Sequence, residues 1–474
     1  MTPAEFREAG HALIDWIADF REHIPEQPVR AQVEPGEVRR SFPAEPPQKA
    51  DSFSSLMADL ENKVVPGITQ VQHPMHYGWF PSNASLASVL GDIASSGLGT
   101  LGISWESCPA LTEVEEVVCD WMRQLTGLSE QWRGTIHDTA STACVTAMIL
   151  ARERASDFSK NGNGLQSVAS PLVVYSTSQA HSSIAKAVQL AGFGQHNLRY
   201  IDEDPYTRAM LPMALSEAIR GDLAAGHIPA GIVCSVGATG TTAMDPVAEI
   251  AAIANEHNIW LHVDAAMAGS AMLLPEYRHL WEGVEAADSV AWNPHKWMGT
   301  ILDTALFYVR DTAHLERVMS TNPAYLQSSA DGQVIQYRDW GIPLGRRFRA
   351  LKLWFHLSLD GIDAIQARLR RDLDNAQWFR ERVETEKDWQ VLAPVPLQTV
   401  CIRHEPPGED GQPMTGEDLD AHTLEWVGRI NDSGQAFLSP SLLDGRWMVR
   451  VSIGVEGTTR KHVEQLWDLI QASV

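Results

Sequence analysis

The sequence predicts an α/β fold in which a large doubly wound domain carries a helical arm before it and a small α+β domain after it. The first observation is a set of β-rich runs that are apolar on both faces, as buried parallel strands are; they lie at 172–176, 231–236, 259–263, 290–292 and 305–309. The second is that helical stretches separate several of these runs, which is typical of a doubly wound sheet. Ligands of such sheets bind beyond the carboxyl ends of the strands.

The predicted N-terminal arm, residues 1–79, begins with an amphipathic helix. Thr2 can cap this helix, Pro3 fits its first turn, and Glu5 completes a capping box. Six prolines between positions 25 and 47 then break regular structure. Because a segment of this size buries little apolar surface alone, we expect it to dock against a partner subunit.

The large α/β domain is expected to span residues 80–345, and the small α+β domain residues 346–474. A third observation supports the boundary between residues 345 and 346. The sequence pattern changes there from alternating strands and helices to a long helical run from about 349 to 383. Short strands are expected to follow near 400–403 and 448–453.

Composition excludes several classes of function. The chain has 474 residues and a net charge of −23, which argues against nucleic acid or an anionic membrane as a partner. It has no apolar run long enough to span a bilayer and no basic-then-apolar secretion signal at its N-terminus. The five cysteines are widely spaced without a C-x-x-C motif, which favours free thiols and no metal site. We therefore expect a cytoplasmic protein with a small-molecule substrate.

Lys296 stands out among the eight lysines of the chain. It follows a buried-type strand directly, in the sequence Asn-Pro-His-Lys-Trp. Burial lowers the pKa of a lysine and so favours the neutral amine that forms a Schiff base with a carbonyl group. A surface lysine whose ammonium reaches water is the alternative for this residue taken alone.

Asp264 ends another predicted strand, in the sequence His-Val-Asp-Ala-Ala. An aspartate at this position points into the ligand crevice. If it contacts a pyridine nitrogen, it keeps that nitrogen protonated and makes the ring an electron sink. A helix cap or a buried ion pair is the alternative.

Two further segments complete a candidate cofactor site. His181 follows a predicted strand, where an imidazole can lie flat over an aromatic cofactor and move protons. Residues 139–142, Thr-Ala-Ser-Thr, open a predicted helix and can bind a phosphate through hydroxyl and N–H groups. A satisfied polar histidine and a plain helix cap are the alternatives. The order of these segments along the chain, each after a strand or at a helix start, favours the cofactor site.

These residues resemble the group II pyridoxal-phosphate-dependent decarboxylases, most closely the aromatic-L-amino-acid decarboxylases. The densest match is at 260–297, and further matches are Gln-Ala-His-Ser-Ser at 179–183, Tyr-Arg-Asp-Trp at 337–340 and Ile-Pro-Leu-Gly-Arg-Arg-Phe at 342–348. The resemblance implies the fold type I (aspartate aminotransferase-like) architecture of pyridoxal-phosphate transferases. It also implies an intertwined homodimer with shared active sites and a cytosolic location.

The resemblance assigns roles around the cofactor and the substrate. It implies that Lys296 bonds to pyridoxal 5'-phosphate and that Asp264 contacts the pyridine nitrogen. The remaining cofactor contacts that it implies are Ala266 below the ring, His181 above it, Ala140, Ser141, Asn293 and His295 at the phosphate, and Thr239 at the cofactor or the substrate carboxylate. The substrate residues that it implies are Phe80, Pro81, Ser82 and Gly345, with Leu101 and Ile103 arriving from the other subunit.

Tyr325 is the residue that the resemblance makes diagnostic for the reaction. In similar enzymes the matching tyrosine protonates the α-carbon after CO2 leaves, whereas relatives with phenylalanine make aldehydes with O2. We therefore expect catalysis by Lys296, Asp264, His181 and Tyr325. The expected reaction is decarboxylation of an L-amino acid to the amine. In similar plant enzymes a glycine at the position of Gly345 accompanies indolic substrates.

Several alternatives stay open at this point. Tryptophan is the first candidate substrate, with phenylalanine, tyrosine and DOPA next, and Met267 and Thr142 depart from the family pattern near the pocket. An aldehyde synthase on the same scaffold or a decarboxylase of a non-aromatic amino acid is the main alternative. Transamination, desulfuration and a non-catalytic binding protein are the others.

Overall fold

A computed structural model gives the structure of the chain, which divides into two compact units. The described residues are 1–165, 170–321, 330–408, 411–412, 414 and 416–474. The first unit comprises residues 1–81, 377–391 and 401–474, and the second comprises residues 82–376 and 392–400. The three domains expected from the sequence stay a prediction.

The described residues form the following strands and helices. The strands are β1 (Arg133–His137), β2 (Leu172–Ser176), β3 (Leu198–Tyr200), β4 (Ile228–Ser235), β5 (Trp260–Asp264), β6 (Ser289–Trp292), β7 (Ala305–Val309), β8 (Trp389–Val391), β9 (Thr399–His404), β10 (Ser439–Leu443) and β11 (Arg446–Ser452). The helices are α1 (Pro3–His23), α2 (Glu37–Arg40), α3 (Phe53–Asp59), α4 (Leu86–Leu98), α5 (Pro109–Thr126), α6 (Ala140–Ala155), α7 (Ser159–Asn163), α8 (Ser182–Leu190), α9 (Pro212–Ala224), α10 (Val247–Glu256), α11 (Thr312–Met319), α12 (Ala350–Leu359), α13 (Ile362–Thr385), α14 (Gly416–Ser433) and α15 (Arg460–Gln471). Among these helices, none combines the length and the apolar character needed to cross a bilayer.

The second unit is built on a seven-stranded mixed sheet with the order β1-β7-β6-β5-β4-β2-β3. Strands β3, β2, β4, β5 and β6 run parallel. Strand β7 pairs antiparallel with β1 and β6. The prediction of strands in all five apolar runs is confirmed, but the run at 305–309 is not parallel to its neighbours. The reason is that the chain between β6 and β7 turns back without a crossover helix, which a parallel connection usually requires.

Helices cover the sheet and bury its strands. Every residue of β2, β5, β6 and β7 is buried. Small side chains on α6, including Ala143, Ala147 and Ala151, pack in the core with apolar residues of α8 and the sheet. These small side chains let α6 approach the sheet closely. The close packing fixes the position of α6, and therefore of its amino end, relative to the strands.

The predicted N-terminal helix is confirmed at its first turn. Thr2 accepts a hydrogen bond from the backbone of Glu5, and the Glu5 side chain accepts one from the Thr2 backbone, so the capping box is present. The long helical run predicted from 349 to 383 is instead two helices, α12 and α13. They are separated at Gly361, whose φ of +76° is a left-handed conformation that glycine adopts without strain.

The first unit contains a four-stranded sheet with the order β10-β11-β9-β8. The two strands predicted near 400–403 and 448–453 correspond to β9 and β11. The other two strands carry weak sequence signals, because β8 has three residues and β10 contains Pro440.

A glycine after β5 marks the tightest packing near the strand ends. A Cβ added to Gly269 would lie 2.4 Å from the Cβ of Trp292 on β6. Gly269 is buried and its N–H donates to the carbonyl of Ala265 at 2.8 Å. Any side chain here would therefore push the segment after β5 away from β6.

We expect Gly269→Ala to destabilise the chain by about 1–3 kcal/mol, because an overpacked core must shift. The matched control is Gly221→Ala in α9, where an added Cβ meets no atom within 4 Å. That change should stabilise the chain by about 0.5–1 kcal/mol, since alanine suits a helix interior better than glycine. Urea unfolding of both variants measures the difference, and equal midpoints would contradict the packing described above.

Candidate active site

The carboxyl ends of three parallel strands meet at one edge of the sheet in the second unit. The register aligns Ser235 of β4, Asp264 of β5 and Ala291 of β6. Asp264 is buried, and its Oδ1 accepts a hydrogen bond from the N–H of Ala266 at 3.0 Å. The carbonyl of Ala266 accepts one from the N–H of Asn293 at 2.9 Å. The turns that follow β5 and β6 are therefore joined directly behind the carboxylate.

The turn after β6 carries the predicted cofactor lysine. The backbone N–H of Lys296 donates to the carbonyl of Asn293 at 3.0 Å, which closes the turn. The Lys296 side chain is half-buried, whereas Asn293 and His295 are buried. The Nδ1 atom of His295 accepts a hydrogen bond from the N–H of Thr304 at 3.0 Å. Burial, together with the charge of Lys296, lowers the pKa of His295 to about 4, so this imidazole is neutral near pH 7.

The amino end of α6 lies against the same turn. The N–H of Ala140 donates to Oδ1 of Asn293 at 3.1 Å. Thr139 precedes the helix, yet its side chain makes no capping hydrogen bond, so the plain helix cap considered above is not what the structure shows. Ser141 is exposed in the first turn. Because the first N–H groups of a helix have no partner within it, this end of α6 suits a phosphate.

His181 stands immediately before α8 and its imidazole is oriented by Ser183. The Nδ1 atom of His181 accepts the backbone N–H of Ser183 at 3.2 Å and lies 2.8 Å from the Ser183 hydroxyl. The side chain is exposed in the single chain, but neighbouring atoms desolvate part of the ring. This desolvation and the charge of Lys296 lower the pKa of His181, while Asp264 opposes them. His181, Lys296 and Asp264 therefore belong to one electrostatic site.

Behind this site lies a buried polar cluster that sequence reasoning missed. The Nε2 atom of His262 lies 3.6 Å from the Sγ of Cys144, and its Nδ1 lies 2.9 Å from the hydroxyl of Ser289. The two-residue repeat of a strand and the helical turn could have predicted this cluster from the sequence. His262 lies on the same face of its strand as the aspartate two residues later. Cys144 lies one helical turn after Ala140, on the face that meets the sheet.

The remaining predicted cofactor residues are at the same edge of the sheet. Thr239 is half-buried in the turn that follows β4. Ala266 is half-buried directly after the carboxylate. The structure therefore brings together all the predicted cofactor residues, on β5, on the turns after β4 and β6, and at the starts of α6 and α8. Their individual roles stay predictions.

The predicted substrate residues fall into three groups. Phe80 and Pro81 belong to the first unit, and Ser82 to the second. The segment with Leu101 and Ile103 pairs with the segment after Gly345, through reciprocal backbone hydrogen bonds between residues 102 and 346 at 3.3 and 3.0 Å. A Cβ added to Gly345 would meet no atom within 4 Å, so this position is open in the single chain. Tyr325 lies outside the described residues.

The residues present fit pyridoxal phosphate. A buried carboxylate at a strand end suits the pyridine nitrogen, a primary amine stands on the neighbouring turn, and a helix start without a side-chain cap suits the phosphate. Among the residues that the structure describes, no cluster of three or more histidine, cysteine or acidic side chains is placed to hold a metal ion.

Comparisons with known proteins agree with this geometry. Residues 35–405 match the pyridoxal-dependent decarboxylase conserved domain. Tryptophan decarboxylase 2 of Oryza sativa subsp. japonica is 38% identical over 481 residues, which cover 99% of this chain and 95% of that protein. Phenylacetaldehyde synthase of Arabidopsis thaliana is 38% identical over 480 residues, which cover 99% and 96%. The crystal structure of Oryza sativa TDC with PLP and tryptamine has a TM-score of 0.96 at 34% identity, covering 100% of this chain and 98% of that one.

We expect the stability of the chain to fall as the pH falls from 6.5 towards 4. Burial lowers the pKa of His262 and of His295 to about 4 in the folded chain. Between pH 4 and the ordinary value near 6.5 the unfolded chain binds more protons, so the free energy of unfolding rises with pH in this window. Each histidine contributes a slope of up to about 1.4 kcal/mol per pH unit.

Thermal unfolding at pH steps across this window measures the slope. His262→Gln should make the slope shallower, with His295 still contributing, whereas His11→Gln, which removes an exposed histidine of α1, should leave it unchanged. A midpoint that does not vary with pH in the unsubstituted chain would contradict the prediction.

Proposed function

The chain belongs to the pyridoxal-dependent decarboxylase family, and from that premise we propose that it converts an aromatic L-amino acid, tryptophan foremost, to the amine and CO2. Membership of the family makes the chain a carboxy-lyase that uses pyridoxal phosphate. The observation that carries the aromatic substrate is the near-full-length similarity to tryptophan and tyrosine decarboxylases. A solved relative of 33% identity contains L-tryptophan, and another of 34% contains tryptamine.

Three parts of the second unit would hold the cofactor. The amine of Lys296 would bond to its aldehyde carbon, and the carboxylate of Asp264 would bond to its pyridine nitrogen. The phosphate would lie at the amino end of α6, against Ala140 and Ser141, with Asn293 and His295 beside it. When bound, pyridoxal phosphate accepts the electron pair that the Cα–carboxylate bond leaves behind.

Asp264 supports this reaction by holding a proton on the pyridine nitrogen. Its Oδ1 already accepts the N–H of Ala266, and such a bond to a carboxylate is charge-assisted. Because Asp264 is buried, its attraction for a ring proton is weakly screened. Ala266 follows it directly and would pack against one face of the ring, while His181 would cover the other face.

The proton that replaces CO2 on the α-carbon would come from Tyr325. This role rests on the resemblance to the family, in which the matching tyrosine protonates that carbon. His181 would assist from the ring face. Its Nδ1 contacts Ser183, so Nε2 would be the nitrogen that faces the reacting groups.

The substrate side chain would be held by residues from both subunits. Phe80, Pro81 and Ser82 would line the pocket of one subunit, and Leu101 and Ile103 would enter from the other. Gly345 is in open space and has no side chain, which leaves room for an indole ring. Residue 346 bonds through its backbone to residue 102 of the same chain, so Gly345 would enter the partner's pocket together with Leu101 and Ile103.

We also propose a cytoplasmic homodimer. In α1, a helix of 21 residues, no residue is buried within the chain, and α4 exposes Leu86, Leu90 and Ile93. Apolar faces of this extent favour a covered position between subunits. The five cysteines all lie among the described residues and none of them forms a disulfide bond, which suits a reducing compartment.

An aromatic aldehyde synthase is the second candidate function. It is favoured by the similarity to phenylacetaldehyde synthase of Arabidopsis thaliana at 38% identity, as close in identity as the tryptophan decarboxylase. Such an enzyme consumes O2 and water and releases CO2, ammonia, hydrogen peroxide and the aldehyde. The identity of residue 325 as tyrosine favours the amine.

The proposal is tested by product analysis on the proteinogenic L-amino acids and DOPA. We expect CO2 and the matching amine from tryptophan, with smaller yields from the other aromatic amino acids. Lys296→Ala should abolish turnover and the covalent bond to pyridoxal phosphate, which borohydride traps at residue 296 for mass spectrometry. Lys186→Ala, on the exposed face of α8, is the matched control. Amine formed only from non-aromatic amino acids would overturn the aromatic assignment.

Tyr325→Phe should divert the product from amine to aldehyde. Without the phenolic proton donor we expect amine formation to fall by roughly 100-fold, the lower range for loss of general-acid catalysis. O2 uptake and hydrogen peroxide should rise as the amine falls. The control is Tyr206→Phe, which changes an exposed tyrosine. An unchanged amine yield in Tyr325→Phe would exclude this residue as the proton donor.

A further inference from the structure

The exposed segment that contains Gly345 is attached to the protein interior at the next residue, Arg346. Residues 342–345 are all exposed and all apolar, and the side chain of Leu344 is 45% exposed. The side chain of Arg346 is only 7% exposed, and its Nη2 donates to Oε1 of Glu115 at 2.6 Å. Glu115 lies on α5 and is 1% exposed. An exposed apolar segment therefore ends directly at a buried ion pair.

Strand β1, at the edge of the large sheet, completes the surroundings of this ion pair. Nη2 of Arg346 lies 3.1 Å from the hydroxyl oxygen of Thr135 and 2.9 Å from the carbonyl oxygen of Ile136. Oε1 of Glu115 accepts the hydroxyl of Thr135 at 2.9 Å and the N–H of Ile136 at 2.8 Å. The ring of Tyr337 covers the guanidinium at 5.0 Å from its centroid. The ion pair is thus bonded to a helix and to a strand at once.

The backbone of Arg346 extends this attachment to a second exposed segment. Arg346 and Gly102 exchange backbone hydrogen bonds at 3.0 and 3.3 Å. A Cβ added to Gly102 would lie 2.8 Å from the carbonyl oxygen of Arg346, so the two backbones are in close contact. The hydroxyl of Ser107 donates to the carbonyl of Leu101 at 2.7 Å and accepts the N–H of Ile103 at 3.2 Å, which keeps this segment compact. Leu101 nevertheless leaves 58% of its surface exposed.

The two exposed segments share one buried base. A guanidinium is planar and rigid, and the partners of Arg346 lie on two different elements, so few arrangements of its side chain satisfy them. A movement of residue 346 away from α5 and β1 would leave a buried charge without its partners, which is unfavourable. Residues 101–103 and Gly345 are therefore held at one distance from the sheet.

We propose that the Glu115–Arg346 ion pair fixes how deeply residues 101–103 and Gly345 enter the substrate pocket of the partner subunit, and that it thereby sets the affinity for the substrate side chain. The inference rests on the proposed function, in which these residues reach that pocket. It deepens that function, because a buried ion pair of one subunit would control substrate binding in the other. Neither Glu115 nor Arg346 would touch the substrate, so both are positioning residues.

The contribution of this ion pair to position can be separated from its contribution to stability. Loss of one partner of a buried ion pair leaves an unpaired charge and strongly destabilises a fold. Replacement of both partners by uncharged side chains of similar volume is often neutral or stabilising. A double substitution therefore removes the restraint on the two segments and keeps the chain folded.

The first measurement is hydrogen exchange in the holoenzyme of the double variant Glu115→Gln, Arg346→Met. The glutamine keeps an acceptor for Thr135 and Ile136, and the methionine removes the bonds of the guanidinium. We expect amide exchange in peptides that cover residues 101–103 and 342–348 to become about 10-fold faster or more, the effect of losing one hydrogen bond to a charged group. Exchange in the peptide of β5, which contains Asp264, should stay the same.

The second measurement is the steady-state kinetics of the same double variant. KM for the amino acid that product analysis identifies should rise by about 10-fold, the lower end of the effect of one methylene-sized contact in an apolar pocket. The value of kcat should change little, because the pocket holds the side chain alike in the ground state and in the transition state.

The matched control changes an exposed ion pair of the same composition. Glu276 and Arg370 lie 2.7 Å apart, with about half of each side chain exposed. Glu276→Gln with Arg370→Met makes the same change of charge and should leave both KM and exchange at 101–103 and 342–348 as they are. The proposal is overturned if KM of the Glu115→Gln, Arg346→Met variant equals that of this control.

Hybrid dimers show in which subunit the ion pair acts. A Lys296→Ala subunit joined to a double-variant subunit, with a different affinity tag on each, gives a dimer with one working site. Its Lys296 comes from the double variant, whereas its residues 101–103 and 345 come from the subunit with the intact ion pair. KM should therefore return to the unsubstituted value. A KM that stays raised in the hybrid would mean that the pair acts within its own subunit, against the proposal.

Arg346→Lys keeps the test available if the double variant does not fold. A lysine keeps the charge beside Glu115 but is shorter and more flexible than arginine, so KM should rise by less than in the double variant. A KM equal to that of the unsubstituted enzyme in every folded variant at position 346 would overturn the proposal.

The outcome is separable from that of the proposed function. KM is measured with whichever amino acid is decarboxylated, so a non-aromatic substrate would remove the aromatic assignment and still test the ion pair. An active decarboxylase whose KM and exchange do not respond would retain the function and lose the inference. In a chain without turnover the exchange alone decides, and unchanged exchange at 101–103 and 342–348 would exclude the restraint.

Discussion

Burial of the Asp264 carboxylate at the end of β5 is the constraint on which the candidate site depends. A buried charge is costly by several kcal/mol unless hydrogen bonds or an opposite charge offset it. Here the N–H of Ala266 supplies one hydrogen bond, and a pyridinium would supply the opposite charge when the cofactor binds. The turns after β5 and β6 must therefore stay joined, and the bond from Asn293 to Ala266 joins them.

Asn293 connects this constraint to the proposed phosphate end of the site. Its backbone N–H bonds to the turn after β5, its side-chain oxygen accepts from the start of α6, and its carbonyl accepts from Lys296. Asn293 thus joins the turn after β5, the start of α6 and the backbone of Lys296, the three places where the proposed cofactor would be held. Because α6 packs on the sheet through small side chains, a shift of its amino end is opposed by the core as well.

Sequence reasoning could place Lys296, Asp264, His181 and the 139–142 helix start at strand ends and helix starts, where parallel sheets bind ligands, and the structure has them there. It could not predict that β7 pairs antiparallel with its neighbours. This pairing depends on the path of the segment between β6 and β7, which contains no helix. It also missed the short β3, and β1, which begins at the exposed Arg133. The bond between Cys144 and His262 joins residues 118 positions apart, so only the folded chain shows it.

The site combines polar groups that are charged or reactive with buried histidines that are neutral. In the proposed function Asp264 acts as a charge and Lys296 as a reactive amine, whereas burial keeps His262 and His295 neutral near pH 7. Burial alone would disfavour all four charges. Backbone hydrogen bonds determine which of these groups is charged. One backbone N–H donates to the Asp264 carboxylate and stabilises its negative charge. Another donates to Nδ1 of His295 and stabilises the neutral imidazole.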